Sequence, residues 1–260
     1  MIKASKPKPT WKELLSREKP LLLPGAHDAL TSRLIERAGF SAYVIGGYAL
    51  VGARYAIPDI GLAAYGEISA GIRDIIAATD LPVMVDTDTG YGDVKNVTHT
   101  IRGYEAMGVS SIFMEDQVSP KRCGHMPGSR PVIELAEAAK KIEAAVAART
   151  DPDFIIIART DSATGHGLDE AIKRVQAFRK AGADVLFVEL KSSPTILEDM
   201  QRVTSSVDGP CLVNIDGGGK LGALSAAELE KLGFRIAIFP GLARNAAGFD
   251  PRSNPCVEAR

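Results

Sequence analysis

The stretch Ser111–His125 is rich in side chains that could take part in chemistry. An apolar triplet leads into two acids, Glu115 and Asp116, and the loop that follows contains Cys123 between cations and a histidine. Carboxylates at a strand end can bind a hard cation through oxygen. Neighbouring positive charge favours the thiolate form of a cysteine. A surface loop with an ordinary cysteine explains the Cys-Gly-His triplet equally well, so the rest of the chain has to decide.

The composition limits the classes of protein that need to be considered. Of the 260 residues, 45% are hydrophobic and 24% are charged, which is typical of a globular protein with a large core. A net charge of -1 does not favour nucleic acid or a membrane surface as a partner, and no apolar run is long enough to span a membrane. The cysteines Cys123, Cys211 and Cys256 form neither a disulfide framework nor a zinc pattern, so we expect a cytoplasmic protein.

Short apolar runs recur along the chain, separated by segments with helical spacing. The runs do not alternate between apolar and polar residues, which is typical of parallel strands buried on both faces. The predicted strands are Leu21–Pro24, Ala42–Gly47, Pro82–Val85, Ser111–Met114, Phe154–Ala158, Val185–Val188, Cys211–Val213 and Arg235–Phe239. Eight strand–helix units predict an α/β fold of the TIM type, a (β/α)8 barrel. A doubly wound open sheet is the alternative, but no glycine-rich nucleotide fingerprint follows the first strand.

The two ends of the chain carry less pattern than the middle. In the first 19 residues a leader precedes a short predicted helix, for which Thr10 and Glu13 form a capping box. After the eighth strand, Pro251 and Pro255 block a long helix, so residues 242–260 are predicted to form an irregular tail. No linker divides the chain, and we therefore predict one barrel domain spanning positions 1 to 260.

Polar residues follow nearly every predicted strand. In a barrel of this kind the carboxyl ends of the strands converge on one face, which carries the site. The residues placed there are Asp86, Asp88, Glu115, Arg159, Asp161, Glu189 and Asn214. An acid at a strand end can also cap the next helix, and Asp28 and Asp161 fit that role. Three carboxylates drawn together, Asp86, Asp88 and Glu115, repel one another unless a cation or protons neutralise them. Ligation by oxygen alone predicts Mg²⁺, with Mn²⁺ as the alternative, rather than zinc.

Arg159 and Cys123 narrow the chemistry further. Arg159 suits bidentate binding of a substrate carboxylate, although a structural salt bridge to an acid such as Glu189 explains it equally well. A divalent ion beside an arginine predicts binding of a small acid and stabilisation of charge that develops on oxygen. Cys123, on a loop flanked by glycine and proline, could transfer a proton at carbon or attack as a nucleophile.

Four segments together resemble one known family. The segments V-D-T-D-T-G-Y-G-D, M-E-D-Q followed by K-R-C-G-H, I-I-A-R-T-D and L-F-V-E are similar, in this order, to the isocitrate lyase/phosphoenolpyruvate mutase superfamily. The resemblance runs from about Leu21 to Gly241 and implies a (β/α)8 barrel with Mg²⁺ at the strand ends. It further implies which acids surround the ion, partly through waters: Asp86, Asp88 and Glu115, with Asp59 nearby.

The resemblance also implies roles for other residues in the pocket. Those expected to border the substrate are Tyr43, Gly46, Gly47, Arg159, Glu189 and Asn214. The segment from Lys121 through Cys123 and Gly124 to His125 resembles the lyase version of the family's gating loop. That version favours carbon–carbon cleavage of 2-hydroxy acids such as 2,3-dimethylmalate or methylisocitrate. In this interpretation Cys123 is the general acid, and Tyr43 or Arg159 assists loss of the hydroxyl proton.

The chain departs from the family pattern at three places. Ile45 stands where lyases often have serine, and after Asn214 the chain has Gly217 and Leu221 where one branch has a glutamate and a threonine. The helix that family members often exchange between subunits is not predicted in the tail. The homo-oligomer that the family implies, a dimer or tetramer, is therefore expected to be weakened. Oxaloacetate hydrolysis or decarboxylation and a non-catalytic dicarboxylate binder remain alternatives, whereas phosphonate mutase chemistry is disfavoured because mutases usually lack the cysteine.

Overall fold

Eight parallel strands form the frame of the computed structural model, which describes residues 9–17, 19–124, 126, 128–190, 193–215 and 219–241. The strands are β1 (Leu21–Pro24), β2 (Tyr43–Ile45), β3 (Val83–Asp86), β4 (Ser111–Glu115), β5 (Ile155–Thr160), β6 (Val185–Val188), β7 (Cys211–Asn214) and β8 (Phe234–Phe239). They pair in the order β1-β8-β7-β6-β5-β4-β3-β2. A bridge between Gly25 and Val44 brings β2 back beside the end of β1. The sheet is therefore a nearly closed barrel, as predicted.

Helices connect the successive strands on the outside of the barrel. Those in the described residues are α1 (Trp11–Arg17), α2 (Ala29–Arg37), α3 (Gly47–Tyr55), α4 (Tyr65–Ile76), α5 (Val94–Met107), α6 (Leu135–Ala148), α7 (Ala163–His166), α8 (Leu168–Lys180), α9 (Ile196–Ser205), α10 (Gly219–Gly222) and α11 (Ala226–Lys231). Because the helices after β1 return the chain to the start of the next strand, all carboxyl ends of the strands lie on one face. None of the helices in these ranges is long and apolar enough to cross a membrane.

The predicted strands agree with the observed ones to within two residues at each end. The largest difference that involves site residues is at the end of β2, which was predicted to run to Gly47. In the structure β2 ends at Ile45, Gly46 is the N-cap of α3, and Gly47 is the first residue of that helix. Asp86 and Arg159 lie within β3 and β5, so the sheet itself fixes their backbones. The tail predicted over 242–260 lies outside the described residues.

The strand side chains form two apolar layers because successive residues of a strand point to opposite faces of the sheet. Val44, Met84 and Phe113 belong to the layer inside the barrel, whereas Tyr43 and Val85 pack beneath the helices. Full burial of one such side chain contributes roughly 1.5–3 kcal/mol. Both faces of the strands are buried, which explains why their sequences show no alternation with polar residues.

Helix α1 closes the amino end of the barrel. Its N-terminus carries the predicted capping box, in which the Glu13 amide lies 3.2 Å from Thr10 Oγ1 and the Thr10 amide lies 2.9 Å from Glu13 Oε2. Trp11 and Leu14 are buried against the apolar layer inside the barrel. The carboxyl end of the barrel is thus left for the site.

Candidate active site

A cavity of about 120 Å³ opens at the carboxyl ends of the strands. This volume is well below the range of roughly 300–1,000 Å³ that is usual for drug-sized ligands, so the cavity suits a small molecule. Most of the predicted site residues line it, namely Gly46, Gly47, Asp59, Asp86, Glu115, Cys123, Gly124, Arg159, Glu189 and Asn214. His125 lies outside the described residues. Lining residues that sequence analysis did not assign include Tyr48, Phe113, Gln117, Lys121, Ile238 and Pro240.

Three aspartates converge on Gly47 at one side of the cavity. A Cβ atom added to Gly47 would lie 3.3 Å from Asp88 Oδ1, 3.5 Å from Asp59 Oδ1 and 3.5 Å from Asp86 Oδ2. The Gly47 amide donates a 3.2 Å hydrogen bond to Asp86. Carboxylate oxygens from the end of β3, the loop after it and the segment after α3 therefore surround a space that a side chain at position 47 would fill. This donor set fits a hard divalent cation.

The loop after β3 reaches this arrangement through a strained backbone. Asp88 and Tyr91 both have positive φ values, 49° and 60°, which non-glycine residues adopt uncommonly. The Asp88 amide donates a 3.0 Å hydrogen bond to Asp86, and this bond turns the loop back on itself. No cluster of three or more His, Cys, Asp or Glu side chains at metal-binding distances occurs in the part of the chain that the structure describes. Mg²⁺ usually keeps several waters and takes only one or two carboxylates as direct ligands.

The acids of this cluster are buried, and burial has a clear electrostatic effect. Burial raises the pKa of Asp88 to about 7; Lys121 opposes this shift, while Asp59 and Asp86 add to it. Burial likewise raises the pKa of Glu115 well above its ordinary value, although Arg159 acts in the opposite direction. Burial thus disfavours the charged forms of these carboxyl groups, and a cation bound beside them would offset that penalty.

Lys121 supplies one cation from the loop after β4. Its Nζ atom lies 2.8 Å from Asp59 Oδ1 and also contacts Asp88 Oδ1. Burial would lower the pKa of Lys121, but the surrounding acids raise it well above its ordinary value, so the ammonium stays charged. In the sequence Lys121 stands out only as a positive charge near the thiol of Cys123. Its contact with Asp59 joins residues 62 positions apart, and no local sequence pattern indicates such a contact.

Arg159 extends from β5 into the same cavity. Its guanidinium donates two hydrogen bonds of 2.9 Å to Asp161. Its Nε atom lies 3.3 Å from Glu115, and its Nη2 atom lies 3.7 Å from Glu189. The Phe187 ring supports it at 5.1 Å. Burial alone would lower the pKa of Arg159, but the three acids raise it well above its ordinary value. Arg159 thus remains a cation, which suits carboxylate binding and excludes it as the base.

Of the two acids that could cap a helix, Asp28 does so and Asp161 does not. The Asp28 carboxylate accepts a 2.7 Å hydrogen bond from the Thr31 amide and caps α2, as predicted. Asp161 does not act as an N-cap. It is fully buried between Arg159 and a second arginine, Arg130. Asp161 therefore holds Arg159 in place. Arg159 forms the predicted salt bridges with buried acids, and it also lines the cavity.

Asn214 and Glu189 complete the opposite wall of the cavity. The Asn214 Nδ2 atom lies 3.4 Å from each carboxylate oxygen of Glu189. Its Oδ1 atom is buried and accepts no hydrogen bond from the described residues. A buried acceptor without a partner carries a desolvation penalty. A hydroxyl or amide donor on a bound molecule would remove that penalty.

Cys123 faces the cavity from the loop between β4 and α6. Cys123 is 3% exposed. The neighbouring Lys121 ties this part of the loop to Asp59, which lies between α3 and α4. Cys123 thus lines the same cavity as Asp59, Asp86 and Glu115.

Tyr43 does not reach the cavity. It is fully buried in the apolar layer beneath the helices, and the next residue of β2, Val44, lines the cavity instead. Its hydroxyl has no hydrogen-bond partner among the described residues, and burial raises its pKa. The structure therefore places Tyr43 outside the residues that line the cavity, and its expected role in substrate binding and catalysis stays a prediction. Because every residue of β2 is apolar or aromatic, the sequence does not indicate which side chains face inward.

Comparison with known sequences identifies the family of this chain. The sequence profile of the family described as phosphoenolpyruvate phosphomutase matches residues 11–249. The chain is 45% identical over 229 residues to a 2,3-dimethylmalate lyase from Eubacterium barkeri, covering 88% of this chain and 78% of that protein. A 2-methylisocitrate lyase from Shewanella oneidensis is 36% identical over 230 residues, covering 88% and 77%. The chain thus belongs to the phosphoenolpyruvate mutase/isocitrate lyase superfamily.

Solved structures show the same relationship. Oxaloacetate acetylhydrolase in complex with the inhibitor 3,3-difluorooxalacetate has a TM-score of 0.83 at 31% identity, and the match covers 92% of this chain and 82% of that chain. Phosphonopyruvate hydrolase in complex with oxalate and Mg²⁺ has a TM-score of 0.78 at 29% identity, with coverage of 90% and 81%. Different reactions are therefore named within one architecture, and the choice among them depends on the site.

Proposed function

We propose that this protein is a Mg²⁺-dependent carbon–carbon lyase. In this proposal it cleaves a small 2-hydroxy di- or tricarboxylate, of the 2,3-dimethylmalate or methylisocitrate type, to a 2-oxo acid such as pyruvate and a second carboxylate. The observation that carries the proposal is the position of Cys123. Its thiol lies in one cavity with a permanently charged arginine, Arg159, and a buried cluster of acids. In the proposal these residues serve as proton donor, anion-binding group and cation site.

Three aspartates and a glutamate would hold the ion, partly through waters: Asp59, Asp86, Asp88 and Glu115. When bound, a divalent ion supplies positive charge that stabilises negative charge developing on substrate oxygens. The convergence of Asp59, Asp86 and Asp88 on Gly47 supports this assignment, as does the Mg²⁺ named in the phosphonopyruvate hydrolase complex. Mn²⁺ has the same preference for oxygen ligands and is the natural substitute.

The remaining residues bind and orient the substrate and move one proton. Arg159 pairs with a substrate carboxylate, and Asn214 Oδ1 accepts from the substrate the hydrogen bond that it lacks among the described residues. In this proposal a carboxylate of the acid cluster takes the hydroxyl proton at C2, the electron pair left on that oxygen forms the C2 carbonyl, the C2–C3 bond breaks, and its electron pair goes to C3. The Cys123 thiol then donates its proton to C3 and becomes a thiolate, acting as general acid. Because Cys123 is only 3% exposed, water would compete weakly with the thiol as proton donor.

Turnover of candidate acids tests the proposal. The 2,3-dimethylmalate and methylisocitrate substrates should each be supplied with Mg²⁺ and with EDTA, and release of a 2-oxo acid followed. We expect turnover of at least one of them and its loss on chelation. Activity that survives EDTA would contradict the metal assignment, and an absence of turnover with both acids would contradict the lyase assignment.

Oxaloacetate hydrolysis or decarboxylation is the second candidate function. The observation that favours it is the small cavity, together with the similarity to the oxaloacetate acetylhydrolase structure. A smaller substrate needs fewer carboxylate contacts than a tricarboxylate. The products to measure are acetate with oxalate, or pyruvate with carbon dioxide. If neither pair forms at millimolar oxaloacetate, this candidate is excluded.

The state of the protein in solution is part of the proposal. We place it in a reducing compartment such as the cytoplasm, because the mechanism needs an unoxidised Cys123. We also propose a homo-oligomer, supported by Leu30 and Leu34, which lie one turn apart on α2 and are 68% and 51% exposed. Light scattering coupled to gel filtration measures the subunit number. A mass of 27.6 kDa would identify a monomer and contradict this part.

A further inference from the structure

Gln117 lies at the base of the loop that carries Cys123 and makes two hydrogen bonds with its side chain. Its Nε2 atom donates to Glu115 Oε1 at 2.9 Å. Its Oε1 atom accepts from the Arg122 amide, also at 2.9 Å. Gln117 is 2% exposed, so both hydrogen bonds are protected from water. One carboxamide thus joins a proposed metal ligand to the residue immediately before the thiol.

The backbone at Gln117 is held independently of its side chain. Gln117 pairs with Val132 in an antiparallel bridge, and the Val118 amide donates to the Pro131 carbonyl at 2.9 Å. These contacts tie the two ends of the loop together where it leaves the barrel and returns. The side chain of Gln117 therefore extends from a fixed point toward the loop. Its contact with the Arg122 amide restrains the part of the loop beyond this fixed base.

We propose that Gln117 is a positioning residue that holds the loop closed over the cavity and aligns Cys123 with the Glu115 side of the cation site. The role depends on having a donor and an acceptor at the same position. A carboxamide has both, an ionised carboxylate only accepts, and a thioether does neither effectively. The proposal deepens the proposed function, because it assumes the roles given there to Glu115 and Cys123. The contacts themselves do not depend on which acid is the substrate.

Removal of the carboxamide should increase opening of the loop. Without Gln117 Oε1, the Arg122 amide loses its acceptor in the closed loop and regains one only when water reaches it. Loss of one such hydrogen bond changes an opening equilibrium by roughly threefold to tenfold. A buried thiol reacts with a reagent only after local opening, so its reaction rate follows that equilibrium. Alkylation of Cys123 is therefore a direct measure of the proposal and needs no turnover.

The experiment compares iodoacetamide labelling of the native protein with that of Gln117→Met, followed by peptide mass spectrometry. Methionine has a similar length and removes both hydrogen bonds. We expect Cys123 to be labelled roughly threefold to tenfold faster in the variant. Cys211 serves as the internal control because it is 1% exposed and burial raises the pKa of its thiol to about 12. Its labelling rate should not change.

Two further variants make the result specific. Gln176→Met is the matched control, because Gln176 is exposed on α8 and its carboxamide donates to the Ser206 carbonyl at 2.8 Å. The rate of Cys123 labelling in this variant should match that of the wild type.

Gln117→Asn keeps the carboxamide but shortens it by one methylene, so it reaches one partner at most. It should give an intermediate rate, and it replaces Gln117→Met if that variant does not fold.

The outcomes separate this inference from the proposed function. If folded Gln117→Met and Gln117→Asn both label Cys123 within twofold of the wild-type rate, the positioning role is wrong, whatever substrate is found. Faster labelling of Cys123 and Cys211 together would indicate general loosening and would also contradict it. Selective acceleration at Cys123 supports the role even if neither 2,3-dimethylmalate nor methylisocitrate is turned over. In that case only the proposed substrate class fails.

Discussion

Gly47 illustrates how one missing side chain can define a site. The carboxylate oxygens of Asp59, Asp86 and Asp88 lie 3.3 to 3.5 Å from the place where its Cβ would be. As the first residue of α3, Gly47 is in a position where alanine is favourable for the helix itself. A glycine there is therefore best explained by the space that it leaves for a ligand of the aspartates.

We predict that Gly47→Ala weakens Mg²⁺ binding at least tenfold while leaving the metal-free fold intact. The added methyl group would lie in contact with the three carboxylates and occupy the space that an ion and its waters need. Isothermal titration calorimetry measures the affinity. Gly66→Ala is the matched control, since Gly66 lies in the first turn of α4 and a Cβ there meets no atom within 4 Å. Equal Mg²⁺ affinity in the two variants would show that the ion does not bind beside Gly47.

Cys123 gives the second prediction at the residue scale. Cys123→Ser conserves the shape of the side chain but raises the pKa of the donor group far above that of a thiol, so binding of Mg²⁺ and oxalate should be retained. The kcat of the best substrate should fall by roughly 10²–10⁴, which is the usual effect of losing a positioned acid. The loss should appear in kcat rather than KM, because the proton moves only in the transition state.

Cys211→Ala is the control for this prediction. Cys211 is buried at the start of β7 and does not line the cavity, so its replacement can lower stability but should leave kcat unchanged. If Cys123→Ser retains full kcat, the thiol is not the general acid. The oxaloacetate reaction would then become the better candidate, because water can supply its proton.

At the scale of elements, the two ends of the barrel have separate tasks. Helix α1 closes the amino end with Trp11 and Leu14, whereas the carboxyl ends of the strands and the loop after β4 form most of the cavity at the other end. This division is general for (β/α)8 barrels, in which stability and chemistry are assigned to opposite faces. Substitutions at the amino end should therefore change folding without changing catalysis.

Leu14→Ala tests this separation. Leu14 is 2% exposed, and replacing a buried leucine with alanine costs about 2–5 kcal/mol of unfolding free energy. Urea denaturation measures that loss. The kcat per folded molecule should remain within about twofold of the wild type, a change no larger than that from ordinary surface substitutions. A selective loss of kcat would show that α1 influences the site.

At the scale of the whole molecule, the buried charges couple stability to the cation. The carboxyl end concentrates several acids around two cations, Lys121 and Arg159, and burial raises the pKa values of Asp88 and Glu115. Placing further positive charge there should stabilise the fold, since anything that binds only the folded state shifts the unfolding equilibrium.

We predict that Mg²⁺ at a concentration of about 100 times its Kd stabilises the protein by about 2.7 kcal/mol. For a chain of this size that corresponds to a rise in Tm of roughly 5–10 °C. Differential scanning fluorimetry with Mg²⁺, with EDTA, and with NaCl at equal ionic strength measures it. An equal rise with NaCl would indicate general screening, and a full rise in Gly47→Ala would place the ion elsewhere.

The local pattern of the chain was sufficient for the order of the elements and for the end of the barrel that carries the site. Unbroken apolar runs predict buried parallel strands, and parallel strands place residues such as Asp86, Glu115 and Arg159 on one face. Both inferences depend on neighbouring residues only. The four segments that resemble the superfamily identified it for the same reason.

Tertiary packing decided three features that local pattern does not contain. It determined that Val44 rather than Tyr43 faces the cavity, because β2 has no polar residue to mark its outer face. It brought Lys121 to Asp59 across 62 positions of chain. It also buried Cys123 beneath its own loop. Each feature depends on which distant surfaces meet, and the energies of such contacts are properties of the folded barrel rather than of any segment.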